Sequence, residues 1–150
     1  MKWHTERDQL YSASYDDTIK CWTYENSVDE WICAYTMTGG HASTVWCFDF
    51  DNSGSFLVSC SEDKTWTCWS ITNKDYKKLG QVQNTHFRAI YSISWCPKKD
   101  ANWIATAGAD NQIIIHDIPE AQLSQPAENP FQPQLLIKLS SAHSTDINCI

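Results

Sequence analysis

The sequence predicts an all-β fold built from repeated four-stranded antiparallel units, and three observations carry that expectation. Three aspartates stand in step, Asp16, Asp63 and Asp110, with 63 − 16 and 110 − 63 both equal to 47 residues. A similar stretch leads into each: Ser12-Ala13-Ser14-Tyr15, Ser59-Cys60-Ser61-Glu62 and Thr106-Ala107-Gly108-Ala109. A ring follows each at a fixed distance, as Trp22, Trp69 and His116. Self-similarity at such a period means stacked or radial repeats, so it sets the architecture before any local reading does.

Taken in order, Trp3-His4 stands where a first strand ends. In the second unit, Val45 to Phe50 reads as a strand and Asp51-Asn52-Ser53-Gly54 as a turn. Phe56 to Cys60 is the next strand, Glu62-Asp63-Lys64 a tight turn, Thr65 to Ile71 a third strand and Tyr76 to Val82 a fourth. His86 opens the third unit, with strands at Ile90 to Trp95, Trp103 to Gly108, Gln112 to Ile118 and Leu135 to Leu139. The stretch from Pro119 to Pro133 holds four of the five prolines. It cannot pair in a ladder, so it reads as an irregular insertion between that unit's third and fourth strands. Asp146 to Ile150 reads as the first strand of a further unit.

Four strands in a unit of about 40 to 45 residues are the signature of a propeller blade. The expected organisation over residues 1–150 is a partial β-propeller of about three four-stranded antiparallel blades. The blades fall at about 1–37, 44–83 and 89–140, with a terminal strand at 146–150. Propellers close with about four to eight blades, so the chain is expected to be part of a longer protein. Alone, it would expose sheet edges that pair with a second copy or a complementary half.

Composition narrows the function. With 42% hydrophobic residues and eight tryptophans there is ample core material, while a net charge of −7 argues against a nucleic-acid surface. No apolar run approaches the roughly 18 residues of a membrane span, and the first residues hold no apolar signal core. The expectation is a soluble intracellular protein. Seven cysteines without a C-x-x-C pair suit neither a disulfide framework nor a zinc or iron–sulfur site. Several sit in strand-like runs, where a free thiol is a small buried hydrophobe.

The second and third units place His41, Ser59 and Asp63, then His86, Thr106 and Asp110, in order along the chain. Such a trio invites a hydrolase reading. It recurs at the repeat period, however, and no G-x-S-x-G elbow projects the hydroxyl. The structural reading explains more. A buried indole N–H needs an acceptor, and a chain from Trp69 to Ser59 to His41 to Asp63 would satisfy it and pin the turn. The histidine partner of Ser12, Asp16 and Trp22 is expected to fall before Met1, and the serine, aspartate and tryptophan partners of His143 after Ile150.

These residues resemble the WD-repeat family of β-propellers. Gly40-His41 matches that family's Gly-His, and Trp69-Ser70 and His116-Asp117 stand at its Trp-Asp position, although no literal Trp-Asp occurs. His116 replaces the tryptophan of the third unit, which puts the third network in question. At finer grain the chain is similar to the cytosolic iron–sulfur protein assembly adaptors of that family, toward their C-terminal half. Ser12-Ala13-Ser14-Tyr15-Asp16-Asp17-Thr18-Ile19-Lys20, Asp29-Glu30-Trp31-Ile32-Cys33 and Gly40-His41-Ala42-Ser43-Thr44-Val45-Trp46 carry this likeness. His86-Phe87-Arg88-Ala89-Ile90-Tyr91 and Ala142 to Cys149 extend it.

The resemblance implies a non-enzymatic adaptor of the complex that targets iron–sulfur clusters to cytosolic and nuclear apo-proteins. It implies as partners a small cysteine-bearing subunit, a HEAT-repeat subunit, a hydrogenase-like carrier and client apo-proteins, with no nucleic acid, membrane or cofactor. The implied location is cytoplasmic and nuclear. Propellers bind through loops, and the loop face is expected to expose Tyr15, Glu62, Ala109, Ser43, Thr44, Arg88 and Thr145. Tyr15 and Arg88 are the best anchors by residue type. The acidic pairs Asp16/Asp17, Asp29/Glu30 and Glu62/Asp63 would favour a basic partner. Two alternatives stay open: another WD-repeat scaffold, such as a ubiquitin-ligase substrate receptor or ribosome-assembly factor, and an enzyme. The enzyme would need Ser59 or Thr106 exposed and reactive.

Overall fold

The computed structural model describes residues 1–124 and 130–150. Among these described residues twelve strands form three four-stranded sheets, each an antiparallel meander in chain order. The first sheet holds β1 (Lys2–Trp3), β2 (Gln9–Ala13), β3 (Ile19–Glu25) and β4 (Glu30–Met37). The second holds β5 (Val45–Phe50), β6 (Phe56–Ser61), β7 (Trp66–Ile71) and β8 (Tyr76–Val82). The third holds β9 (Ile90–Trp95), β10 (Trp103–Gly108), β11 (Ile113–Asp117) and β12 (Gln134–Leu139). These are the four-stranded antiparallel units expected of a propeller fragment.

The tight turn between the second and third strand of each sheet has one recurring design. The residue after the aspartate, Asp17, Lys64 or Asn111, takes φ of 67°, 70° or 60°, so the chain reverses through the left-handed region. The aspartate carboxylate accepts the next backbone N–H but one, from Thr18, Thr65 or Gln112. This is the side-chain-closed turn that Asp supports best. The 47-residue period is therefore a period of turns as much as of strands.

Two cores lie between the sheets. Tyr11, Ile19, Cys21 and Met37 of the first sheet pack against Val45, Phe48, Phe50, Leu57, Trp69 and Ile71 of the second. Val58, Cys60, Trp66 and Cys68, on the opposite face of the second sheet, pack against Ile90, Ile93, Trp95 and Ile104 of the third. Both faces of the middle sheet are buried, so β6 runs Leu57-Val58-Ser59-Cys60 with no exposed member. That continuous apolar character is what double burial demands.

Polar links tie neighbouring sheets. Val45 N–H donates to Ser14 O at 3.0 Å. Asp49 on β5 accepts from Lys2 Nζ at 2.8 Å and from Trp95 N–H at 2.9 Å, so one carboxylate joins all three sheets. Buried His4 reaches Gly54 O at 2.7 Å through Nε2, while its Nδ1 accepts the N–H groups of Glu6 and Arg7. Those two donors fix His4 as the neutral Nε2–H tautomer.

Two expectations need correction. The insertion from Pro119 to Pro133 is not wholly irregular, because Glu120–Ser124 forms the short helix α1 and buries Leu123. Pro119 lies just before it, where a missing N–H costs nothing, and its carbonyl accepts from Gln122 N–H at 2.8 Å. Residues 125–129 of the insertion lie outside the described residues. Asp146 to Ile150 is not a strand. Among the described residues its backbone bonds are isolated ones, Ile147 N–H to Gly108 O and Ile150 N–H to Ser92 Oγ, and a ladder needs a partner over several residues.

Candidate functional site

The second sheet carries a complete polar chain. Trp69 Nε1 on β7 donates to Ser59 Oγ on β6 at 2.9 Å, and Ser59 Oγ lies 2.7 Å from His41 Nε2. His41 Nδ1 lies 3.2 Å from Thr65 Oγ1 and 3.4 Å from Asp63 Oδ2. Proton directions follow from saturation. Thr65 donates its only hydroxyl proton to Asp63 Oδ1 at 2.6 Å, so toward His41 its oxygen can only accept. His41 Nδ1 is then the N–H, Nε2 the acceptor, and Ser59 the donor to it. Asp63 also accepts from Ala42 N–H at 2.9 Å and Thr65 N–H at 2.9 Å. Burial alone would raise its pKa, but hydrogen bonds from His41, Thr65 and Ala42 hold the carboxyl well below the usual range.

Gly40 makes room for this chain. A Cβ on it would sit 2.0 Å from Cζ2 of Trp69, so the indole lies against bare backbone. Thr67 Oγ1 and Gln81 Nε2 both donate to Gly40 O, fixing the same segment from β7 and β8.

The third sheet repeats the pattern with one break. Asp110, whose side chain is wholly buried, holds His86 Nδ1 between its two oxygens at 2.9 and 3.0 Å. His86 Nε2 lies 2.9 Å from Thr106 Oγ1, and Phe87 N–H reaches Asp110 Oδ2 at 3.2 Å. His116 does not complete this chain. Its ring packs 5.4 Å from that of Trp66, and its Nδ1 is buried without a hydrogen-bond partner among the described residues. Burial, with a smaller contribution from nearby His86, lowers its pKa to about 4. Burial likewise lowers that of His86 despite the facing carboxylate.

In the first sheet Trp22 Nε1 donates to Ser12 Oγ at 2.9 Å, and exposed Asp16 serves only the local turn through Thr18. The Thr18 hydroxyl is the main reason its pKa is lowered. His143 is exposed and has no hydrogen-bond partner among the described residues.

The polarity of Ser59, His41 and Asp63 is that of a hydrolase triad. Its setting is not. Ser59 and Thr106 are both 0% exposed, and the Ser59 oxygen already accepts from an indole that is itself buried. Neither hydroxyl is open to a substrate carbonyl in this structure.

Of the expected loop-face residues, Tyr15 (76%), Glu62, Arg88 and Thr145 are exposed, while Ser43 and Thr44 are half-buried. Ala109 is a correction: it is 2% exposed, its N–H donating to Ala89 O at 3.0 Å and its carbonyl accepting from Arg88 Nη1 at 2.6 Å. The sequence reading did not single out Trp46, which is 38% exposed and donates to Glu62 Oε2 at 2.8 Å. The alternation of buried Val45 and outward Trp46, repeated in Ile90-Tyr91, was the signal for it. Cys21, Cys60 and Cys68 are buried, as a small hydrophobe would be, but Cys33 and Cys149 are exposed.

Three meander sheets stacked through their faces, with turn-pinning histidine networks between them, define a repeat protein of the β-propeller class. The family model described as "WD domain, G-beta repeat" matches residues 1–23, 31–70 and 77–117. The chain belongs to the WD-repeat family. It is 36% identical over 116 residues to a protein of Ixodes scapularis named "Probable cytosolic iron-sulfur protein assembly protein CIAO1 homolog", covering 75% of this chain and 35% of that one. A protein of Aedes aegypti named "Probable cytosolic iron-sulfur protein assembly protein Ciao1" is 34% identical, over 89% of this chain and 41% of its own. A further such homolog, from Schistosoma japonicum, is 33% identical over 92% of this chain and 40% of its own. The chain thus spans well under half the length of these relatives.

Proposed function

We propose that the chain is a run of three consecutive propeller blades acting as a non-enzymatic binding scaffold in cytosolic iron–sulfur protein assembly. The likeness to proteins named for that pathway, at 33–36% identity over 75–92% of the chain, carries this reading. The networks centred on Ser12, His41, Ser59, Asp63, Trp69, His86, Thr106 and Asp110 are structural, since they spend their polar atoms on one another inside the sheet stack. Binding falls to the loop face of Tyr15, Ser43, Thr44, Glu62, Arg88 and Thr145. Partners on this reading are a small cysteine-bearing subunit, a HEAT-repeat subunit, a hydrogenase-like carrier and client apo-proteins, met in the cytosol and nucleus.

The test is affinity purification of the tagged full-length protein from cytosol, with co-purifying proteins identified by mass spectrometry. Enrichment of a HEAT-repeat subunit and a small cysteine-bearing subunit is expected. Enrichment of ubiquitin-ligase or ribosome-assembly components instead would keep the propeller and overturn the pathway.

A further inference from the structure

On β5 and β9 the residue after the first buried position faces outward, as Trp46 after Val45 and Tyr91 after Ile90, and in the last segment exposed Asn148 follows buried Ile147 in the same way. The hydrogen-bond networks use none of these three. Tyr15 lies edge-on to Trp46 at 5.3 Å, and Trp46 to Tyr91 at 5.5 Å, so an aromatic stripe crosses all three sheets. Where it meets the last unit there is a depression of about 440 Å³ lined by Trp46, Tyr91, Asp146 and Asn148. Among the described residues the lining therefore offers two aromatic rings, one carboxylate and one amide, and no cationic side chain.

The charge of that carboxylate is met from outside the lining. Arg88 Nη1 stands 3.6 Å from Asp146 Oδ1, with both side chains about half exposed. An exposed pair at that distance opens at little cost. Arg88 has a second anchor in the Ala109 carbonyl, so it can release Asp146 and remain ordered. Aromatic rings beside a carboxylate suit a guanidinium or ammonium group, through the ring quadrupole and the charge together. The indole is already oriented by Glu62, which adds a further negative charge at the stripe.

We infer that the Trp46–Tyr91 depression docks an Arg or Lys side chain from a basic segment of a partner protein, which takes the place of Arg88 at Asp146. This rests on the reading of the chain as a binding scaffold, and it makes Arg88 a placeholder rather than an anchor. An overall charge of −7 favours the same partner over longer range.

The test uses the full-length protein and four fluorescein-labelled Gly/Ser nonapeptides with three central residues of Arg, Lys, norleucine or Glu, read by anisotropy at low salt. The Arg and Lys peptides should bind, at least tenfold more weakly to Trp46→Ala and Asp146→Asn and more tightly to Arg88→Ala. Asp146 is a surface residue, so its variant keeps the fold and remains informative if Trp46→Ala melts early. Equal binding of the norleucine peptide, no binding of any peptide, or affinities unmoved by Asp146→Asn would overturn the inference. Failure here with the expected co-purification intact would remove only this site. Failure of the co-purification would remove the pathway.

Discussion

Replacing Asp16, Asp63 and Asp110 one at a time by Ala should produce a graded loss of stability, although all three hold the same place in their repeats. Asp110 is wholly buried and accepts from His86 Nδ1, Phe87 N–H and Gln112 N–H. Its removal strands those donors inside the protein, and each buried unsatisfied donor costs about 1–3 kcal/mol before relaxation. About 3–4 kcal/mol is expected, and at about 2–4 °C per kcal/mol for a chain of this size the melting temperature should fall by roughly 10 °C. Asp63 is 13% exposed, so water reaches part of what it leaves behind, and about 2 kcal/mol is expected. Asp16 is exposed and its carboxylate, among the described residues, bonds only to Thr18, so its loss should be the smallest of the three. Urea denaturation followed by tryptophan fluorescence, with m unchanged, gives the three values directly. Equal losses at Asp16 and Asp110 would refute the argument, as would an Asp110→Ala protein that melts normally but loses its partners.

Three further outcomes follow from the same geometry. Gly40→Ala should cost about 2–3 kcal/mol by driving a methyl into Trp69, whereas Gly39→Ala meets open space and pays only about 1 kcal/mol for its left-handed φ of 73°; chemical denaturation separates them. His116 binds a proton at about 4 in the folded chain against 6.5 when unfolded, so the unfolded state takes up more protons as pH falls. Stability from this group is full above pH 6.5 and drains away down to about pH 4, by on the order of 3 kcal/mol, with His86 acting in the same direction. His116→Phe should flatten that slope, as thermal melts between pH 4 and 7 will show. Cys33 and Cys149 should react with a thiol reagent in the native state, while Cys21, Cys60 and Cys68, whose pKa values burial raises, should react only on unfolding.

Much of this was legible in the sequence because repetition multiplies weak local signals. One turn such as Glu62-Asp63-Lys64 says little, but its recurrence after Asp16 and Asp110 marks the same backbone reversal three times. The second network could be inferred because Trp69 needs an acceptor and Ser59 stands at the right register to supply one. What stayed hidden depends on side chains that cross between units. Ala109 has the same turn position as exposed Tyr15 and Glu62, and its burial goes with bonds to Ala89 and Arg88 that the turn's own sequence does not reveal. Trp46 reads as strand material because aromatic residues favour strands; alternation hints at its outward direction, but its place in a stripe with Tyr15 and Tyr91 shows only in the structure. Helix α1 was masked by proline content, although a proline just ahead of a first turn is compatible with a helix.

The central claim is a division of labour: buried networks hold the sheets together while the loop face binds. It is tested most directly by measuring melting temperature and co-purifying proteins side by side for Asp110→Ala and Tyr15→Ala in the full-length protein. Asp110→Ala should lower the melting temperature and, below it, retain its partners. Tyr15→Ala should melt like the parent and lose them. The opposite pattern, a stable Asp110→Ala protein without partners beside a destabilised Tyr15→Ala protein with them, would contradict the account.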